Sequence, residues 1–306
     1  MDNVLGCDVS KDWVDVHGPK GVSRIDNNLK AAKLLARQLP MGTRIGMEAT
    51  GRLHCVLAQA LAERGHVVYV INPRWIHNYA KGLGLRGKTD RTDAALIARF
   101  VASEGHGLHP YVPPTREQQQ LRTLILQRRK LVQLKVATHL SLGAVAKPIL
   151  AQFDMAIAKI ESRVKKLIEA SPSWKPTYGH LLTQPGVGPV VASHLVEVLT
   201  RIPFSSQDAF IAHTGLDPRA CDSGLKRGRR RLTGHGDAAL RAVLYVAAMA
   251  ACQRDPWRSY YQAQLAKGLA RTAALVVLAR KLARVAFTLF KSGQDYQAPV
   301  RQPSGA

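Results

Sequence analysis

The chain has 306 residues, and its 44 lysine and arginine residues against 21 acidic ones give a formal charge of +23. This length supports one large domain or two modest domains with cores of their own. The charge predicts a polyanionic partner, with nucleic acid ahead of an anionic membrane. The longest apolar stretch, at 273–290, is interrupted by Arg280, Lys281 and Arg284. It therefore predicts a basic amphipathic helix and argues against a membrane partner.

The sequence gives little support to a secreted, disulfide-linked or zinc-binding protein. Asp2 and Asp8 frame the first apolar run, so no amino-terminal signal is expected. The four cysteines are scattered and form no C-x-x-C pair, which favours reduced thiols over a disulfide frame or a zinc site. The expected location is the cytoplasm, in association with the nucleoid. The cysteines are Cys7, Cys55, Cys221 and Cys252.

Residues 1–112 alternate strand-like and helix-like patterns. Three short strands come first, and helix–strand alternation follows, with Pro73 ending the last strand. A further helix begins near Asp90. This order predicts an α/β domain with a mixed sheet of the ribonuclease-H-like type. The predicted strands are 3–9, 12–18, 21–26, 43–49 and 66–73, and the predicted helices between them are 28–39 and 53–65.

The remainder of the chain is helical. Residues 115–140 predict a long polar helix, and the next helix repeats apolar residues at spacings of four and three, as in a coiled coil. This seam fits an intramolecular hairpin or a dimer contact, and the sequence leaves both open. After residue 172 come two helices around a QPGVGP turn, a loop rich in Gly and Arg at 217–237, and three more helices. The last residues, 294–306, predict a disordered tail.

Four carboxylates indicate the chemistry. Asp8 and Glu48 lie in apolar strand-like runs, where a charge is costly unless it is paired or binds a metal. Asp90 and Asp93 open a helix at i, i+3 spacing, which places them on one face. Asp8 alone could be a turn former, and Asp90 could cap the helix with Asp93 in its first turn. Together the four favour a site for two Mg²⁺ ions, with Mn²⁺ as a substitute, because such ions take oxygen ligands.

Two segments predict contacts with nucleic acid. The QPGVGP segment has the form of a helix-hairpin-helix, in which Gly186 and Gly188 would bring backbone N–H groups to a phosphate, although an ordinary inter-helix turn is an equal alternative. The 217–237 loop carries a basic run between glycines, which favours a polyanion over a merely solvated loop. Its basic residues are Lys226, Arg227, Arg229, Arg230 and Arg231. Ser223 lies in the same loop without the G-x-S-x-G context of a hydrolase.

An ordered set of motifs resembles the DEDD-type insertion-sequence transposases related to the Piv DNA invertase, a family that includes bridge-RNA-guided recombinases. The motifs are GCDVSKDWVDV, GMEATG, VINP, GLRGKTDRTDA, QPGVGPVVA, FIAHTGLDPR, DSGLKRG, LTGHGDAALRAVLY and RKLARVAF. The resemblance covers almost the whole chain. It implies a RuvC-like domain at 1–112, a helical coiled-coil linker at 113–172 and an all-α transposase domain at 173–293, with 294–306 as the tail.

The resemblance also implies roles for residues. It puts metal-binding acids at Asp8, Glu48, Asp90 and Asp93, and a serine nucleophile at Ser223 that becomes linked to a DNA phosphate. The serine and the acids would form one composite site, in dimers that assemble into a tetramer. The implied partners are donor DNA, target DNA and a bridge noncoding RNA. One departure is visible, because the chain has Gly234 in a stretch where many relatives carry a lysine.

Other functions remain open from the residues alone. A Holliday-junction-type endonuclease would use the same acids with water and form no serine–DNA adduct. A catalytically silent nucleic-acid-binding protein would bind without Mg²⁺-dependent cleavage. An actin-like ATPase or sugar kinase shares the strand–Asp opening, but the chain has neither a Gly-rich adenosine-binding segment nor a G-x-x-x-x-G-K-[ST] loop.

Overall fold

The computed structural model describes residues 3–19, 21–49, 51–85, 90–219 and 231–298. The chain divides into two compact units, Met1–Pro114 and Thr115–Ala306. The first unit is mixed α/β, and the described residues of the second unit form helices and one two-stranded ladder. This confirms the predicted α/β amino-terminal part and the predicted helical carboxy-terminal part.

The first unit is built on one five-stranded sheet. Its strands are β1 (Val4–Val9), β2 (Trp13–Gly18), β3 (Gly21–Asp26), β4 (Arg44–Glu48) and β5 (Val67–Ile71), and its helices are α1 (Leu29–Gln38), α2 (Cys55–Glu63), α3 (Pro73–Gly82) and α4 (Asp90–Glu104). The strand order is β3-β2-β1-β4-β5. The first three strands form antiparallel pairs, whereas β4 and β5 run parallel to β1.

Helices cover both faces of this sheet. Leu5, Cys7 and Val9 share a core with residues of α1 and α2. Val4, on the opposite face of β1, joins a second core with residues of β5, α3 and α4. Because successive strand side chains point to opposite faces, β1 contributes to both cores. It is also the central strand of the sheet.

The predicted strands and helices of the first unit are present, with ends shifted by at most two residues. The exception is α3, which the sequence interpretation missed because Pro73 was taken only as the end of a strand. Proline is well tolerated at the first position of a helix, where its missing N–H has no partner to lose. The side chain of Asn72 caps this helix by accepting a hydrogen bond from Arg74 N at 3.0 Å.

The second unit contains eight α-helices within the described residues. They are α5 (Arg116–Leu142), α6 (Lys147–Ala170), α7 (Trp174–Leu182), α8 (Pro189–Arg201), α9 (Gln207–Thr214), α10 (Ala238–Ala251), α11 (Trp257–Ala266) and α12 (Arg271–Ser292), with a short antiparallel ladder of β6 (Pro218–Arg219) and β7 (Arg231–Leu232). Fully buried side chains from α8, α9, α10 and α12 form the centre of the core: Leu195, Phe210, Leu240 and Leu282. The basic α12 is amphipathic, as predicted, and buries one face.

The helices α5 and α6 form a hairpin within one chain. Arg128 and Glu161 join them by an ion pair of 2.6 Å, and Lys135 pairs with Asp154 nearer the turn. We call residues 134–155 the hairpin tip. It exposes several large apolar side chains, namely Leu134, Val136, Leu140, Leu142, Val145, Ile149 and Met155. An 18-residue window within Arg116–Ala170 is long and apolar enough to cross a membrane, which by itself is weak evidence for a span.

Candidate active site

Two of the predicted acids lie on adjacent parallel strands at the same level. Cys7 of β1 is paired with Met47 of β4, so Asp8 and Glu48 occupy the next position along the two strands. Residues in register on parallel neighbours point to the same face of a sheet. Both carboxylates therefore lie on the face covered by α4, and both are partly exposed.

Two strand glycines allow α4 to lie against this face. A Cβ on Gly6 would stand 2.0 Å from Ala94 O and 2.4 Å from Ala98 N, so helix and strand backbones are in direct contact there. A Cβ on Gly46 would meet the side chains of Val101 and Ile97, at 2.5 and 2.9 Å. The absence of side chains at these two positions sets the depth at which α4 packs.

This packing brings the amino-terminal end of α4 to the two strand acids. Ala94 lies over Gly6, two residues before Asp8, and Asp93 immediately precedes Ala94. Asp8 and Glu48 thus lie side by side at one corner of the sheet, and Asp93 belongs to the end of α4 that packs against the same face. Asp90 is the first residue of the same helix, and its side chain lies outside the described part of the structure. Within the described residues, no three His, Cys, Asp or Glu side chains form a ready-made metal cluster.

A fifth acid, Asp15, was missed by the sequence interpretation. It is paired with Asp8 across β1 and β2 and is only 3% exposed. Arg24 of β3 binds its carboxylate through two hydrogen bonds, of 2.8 and 2.7 Å, and stacks over Trp13 with its guanidinium 4.9 Å from the ring centroid. A buried carboxylate is tolerated when it is paired and hydrogen-bonded in this way. The sequence already shows Asp15 in DWVDV and Arg24 in GVSRID, both in strand-like segments. Only the register of β2 against β3 shows that the two residues are paired.

The opposite side of β1 is apolar at this level. Cys7 is fully buried, and burial, helped by the negative charge of Asp8, raises the pKa of its thiol to about 12. The thiol therefore stays protonated, because the thiolate is disfavoured in apolar surroundings next to a carboxylate. Cys7 acts as a core residue, and the predicted acids Asp8 and Glu48 lie on the other face, towards α4.

The loop that carries Ser223 is held at its base in the second unit. Residues 220–230 lie outside the described residues, including Ser223, Lys226, Arg227, Arg229 and Arg230, as does the side chain of Arg231. The strand that precedes the loop, β6, pairs antiparallel with the strand that follows it, β7. Next to this ladder, Thr233 N donates to Asp217 O at 3.1 Å, and the Thr233 hydroxyl donates to the Asp217 carboxylate. The two ends of the loop are thus fixed to each other.

One glycine and one aspartate tie this base to the helical core. Gly236, at φ +132, leaves room for His213 O, which a Cβ would approach to 2.1 Å. Asp237 caps α10 by accepting hydrogen bonds from Ala239 N and Leu240 N. Burial acts to raise the pKa of Asp237, but these backbone hydrogen bonds outweigh it and the pKa lies below its usual value. Asp237 is therefore charged at neutral pH.

The QPGVGP turn joins α7 to α8. Gly186, at φ +92, packs against α10, and a Cβ there would lie 2.5 Å from Ala251 Cβ. Gly188 is the N-cap of α8, has open space around it, and provides no side chain to cap the helix. The turn thus has one glycine that serves packing and one that leaves the amino-terminal end of α8 accessible. Gln184 fixes the turn to the core by donating to Leu282 O at 3.0 Å.

Comparison with known proteins identifies the chain. A family model of the IS110-type DEDD proteins, described as transposase, matches residues 6–149. A second, described as transposase of the IS116/IS110/IS902 family, matches residues 178–262. This chain belongs to the IS110 family of transposases. The resemblance read from the sequence motifs is thereby confirmed, and the IS110 transposase is a DNA recombinase of a family that generally uses divalent metal ions.

Relatives of the IS110 transposase align along most of the chain. The pilin gene-inverting protein of Moraxella lacunata is 26% identical, over 84% of this chain and 82% of its own length. A transposase for insertion sequence element IS1328 of Yersinia enterocolitica is 26% identical, over 96% of this chain and 98% of its own. A putative transposase of Sinorhizobium fredii is 27% identical, over 96% and 85%.

Proposed function

We propose that this IS110 transposase cuts and rejoins DNA at a site where Asp8, Glu48, Asp90 and Asp93 hold two Mg²⁺ ions and Ser223 is the nucleophile. The observation that carries the proposal is the corner formed by β1, β4 and the start of α4. Strand register sets Asp8 beside Glu48, and the contact of Ala94 with Gly6 supports a position for the neighbouring Asp93 on the same face. Carboxylate oxygens are the ligands that Mg²⁺ prefers, so the donor set fits the ion.

The fold of the first unit supports this assignment. A β3-β2-β1-β4-β5 sheet with three antiparallel strands followed by two parallel ones is the arrangement expected of a RuvC-like, ribonuclease-H-like domain. We propose the three-part organisation implied by the family: this domain at 1–112, the α5–α6 region as the linker at 113–172, and the transposase domain at 173–293. In the last domain, the α7–α8 turn would act as a helix-hairpin-helix.

The proposed chemistry transfers a phosphoryl group without an external energy source. The Ser223 Oγ attacks phosphorus and loses its proton, while the bond from phosphorus to the 3′-oxygen breaks and that oxygen leaves as a hydroxyl. The bound ions, when present, would lower the pKa of the attacking hydroxyl and stabilise the charge on the phosphate. Attack by a new strand's 3′-hydroxyl on the phosphoserine reverses the step, so one bond is exchanged for another. Such an exchange needs no ATP, which agrees with the absence of a G-x-x-x-x-G-K-[ST] nucleotide-binding loop from the sequence.

The acids are tested by isosteric substitution. Asp8→Asn, Glu48→Gln and Asp93→Asn should each abolish recombination between plasmid-borne element ends, because each removes a charged ligand. Binding of DNA should persist, and the melting temperature should stay near that of wild type. Asp12→Asn is the matched control, since Asp12 is an exposed carboxylate in the turn after β1. Recombination at the wild-type level in the Asp93 variant would remove that residue from the site.

The serine is tested by trapping the covalent intermediate. Ser223→Ala should eliminate strand exchange, and Ser223→Cys should retain little of it, because sulfur is a poor partner for Mg²⁺. Mass spectrometry of a digested wild-type reaction should locate DNA on the Ser223 peptide. Ser205→Ala, at an exposed position before α9, is the control. Recombinant product from Ser223→Ala would exclude the covalent route, and cleavage without an adduct would support the water-using nuclease.

The partners form a separate part of the proposal. We propose that donor and target DNA are brought together by a bridge noncoding RNA, and that dimers assemble into a tetramer so that Ser223 meets the acids in a composite site. The net charge of +23 supports a polyanionic partner, and the apolar hairpin tip supports association. Purification from cells that carry the whole element should recover a discrete RNA, and light scattering should give the mass of a dimer or tetramer. Recombination by a monomer free of RNA would contradict both points.

A further inference from the structure

A cavity of about 720 Å³ lies within the second unit, between α5, α6, α7 and α8. Its walls are largely apolar and include Ile125, Val164 and Leu182, with the ring of Tyr178 beside them. Small-molecule sites occupy volumes of roughly 300–1,000 Å³ and combine apolar walls with a few polar groups. The cavity has the size and lining of a binding site.

A histidine ring contributes a polar group to this cavity. His194 lines the cavity and is 5% exposed. Burial lowers the pKa of its imidazole to about 4, so the ring is neutral at pH 7 and has one donor and one acceptor nitrogen. A ligand with a polar edge can hydrogen-bond to either kind of nitrogen.

The charged residues around the cavity are mixed, with an excess of one basic group: Arg128, Lys165 and Lys175 against Glu161 and Glu169. Arg128 pairs with Glu161, whereas Lys165 is only loosely paired with Glu169, at 3.8 Å. Pro189 and Val190, the first two residues of α8, also line the cavity. This helix has no side-chain cap, so its first-turn N–H groups and its dipole attract negative charge.

We propose that this cavity binds a nucleobase turned out of a single strand of nucleic acid, with the adjoining phosphate at the mouth. A nucleotide has a flat apolar face for Tyr178 and the aliphatic walls, a polar base edge for His194, and an anionic phosphate for Lys175 and the start of α8. The inference rests on the proposed function, because it assumes a nucleic-acid partner, and it adds a base-binding site outside the acid cluster and the serine loop.

The cavity can be filled without disturbing the fold. Gly179 lies in α7, lines the cavity, and has open space where a Cβ would stand. Gly179→Leu should therefore project into the cavity, and it also removes a helix-weakening glycine. Gly82→Leu is the matched control, since Gly82 is a helical glycine of α3 with equally open surroundings in the other unit. Equal helical circular dichroism in both variants establishes that they fold.

The probe is a pair of oligonucleotides of about 12 nucleotides, one RNA and one DNA, each with a photoreactive 5-iodopyrimidine. With wild type, irradiation should cross-link the base to the peptide that contains Tyr178, and the strand that reacts identifies RNA or DNA as the source. Gly179→Leu should lower the cross-link yield and the affinity about tenfold, the order expected for one stacked base, whereas Gly82→Leu should change neither.

An unchanged yield in Gly179→Leu, or cross-links confined to other peptides, would overturn the assignment. So would equal cross-linking of an oligonucleotide whose reactive base is locked in a duplex, because a paired base cannot enter a cavity. Asp8→Asn should leave the cross-link intact. A failure of the proposed metal chemistry is therefore distinguishable from a failure of the base-binding site.

Discussion

Replacement of Gly6 by alanine tests whether α4 is held against β1 at the depth described. The added Cβ would lie 2.0 Å from Ala94 O, about 1.4 Å short of the 3.4 Å at which ordinary contacts begin. Both nearest atoms, Ala94 O and Ala98 N, belong to the helix backbone, so no side chain can rotate away. Either α4 retreats from the sheet or β1 distorts.

The expected effects are large on both stability and activity. Overpacking a core costs about 1–3 kcal/mol, and a clash with backbone belongs at the upper end of that range. In a domain of this size such a loss lowers the melting temperature by about 10 °C or more. A helix displaced by about 1 Å carries Asp93 with it, and a misplacement of that size can reduce a rate about 100-fold. Gly6→Ala should therefore lose activity even at temperatures where it remains folded.

The assay is differential scanning calorimetry together with recombination measured well below the melting transition. Gly18→Ala is the matched control, because its Cβ would lie 3.3 Å from the flexible Leu5 side chain and should cost less than about 1 kcal/mol. A Gly6→Ala protein with the melting temperature and recombination rate of wild type would refute the contact between α4 and β1.

Three further predictions follow from the buried charges and from the net charge. Arg24→Gln should destabilise the first unit by about 1–3 kcal/mol in chemical denaturation, because it removes the two charged hydrogen bonds that Arg24 donates to the buried carboxylate of Asp15; an unchanged midpoint would contradict this. Because the folded pKa of His194 is depressed, the unfolded chain binds the extra proton, so stability should fall by roughly 3 kcal/mol as pH drops from about 6.5 to 4. His194→Gln should remove the part of the slope due to His194 and leave the part due to His213, whose pKa burial also lowers, and a denaturation series with the wild-type slope would count against it. Affinity for nucleic acid should fall roughly 10³-fold or more between about 50 and 200 mM salt if six or more phosphates are contacted, and a nearly flat log–log plot would show that the basic surface serves another purpose.

Local pattern was sufficient for most of the first unit. Strand alternation and helix periodicity predicted every strand of the five-stranded sheet, and they placed Asp8 and Glu48 on strands and Asp93 in a helix. Local pattern could not predict which strands pair in which register or which helix packs on which strand. The pairing of Asp15 with Arg24 depends on strand register, and the role of Gly6 depends on which helix crosses β1.

Three other features were not predicted, each for its own reason. The β6–β7 ladder has two residues in each strand, too few for any periodicity to appear. The Pro73 helix was missed because the same residue can end a strand and begin a helix, and only the Asn72 cap distinguishes the two. The cavity around His194 is lined by four separate helices. A histidine in an apolar helix gives no sign of such surroundings.

The exposed hairpin tip affects how stability is measured. Val145 and Leu140 are 81% and 78% exposed, so association of folded chains through the tip would remove apolar surface from water. Folding would then be linked to protein concentration by mass action, because the unfolded chain lacks the shaped surface that associates. Melting temperatures of variants are therefore comparable only at one protein concentration. A dilution series separates the intrinsic stability of the chain from the part contributed by its neighbours.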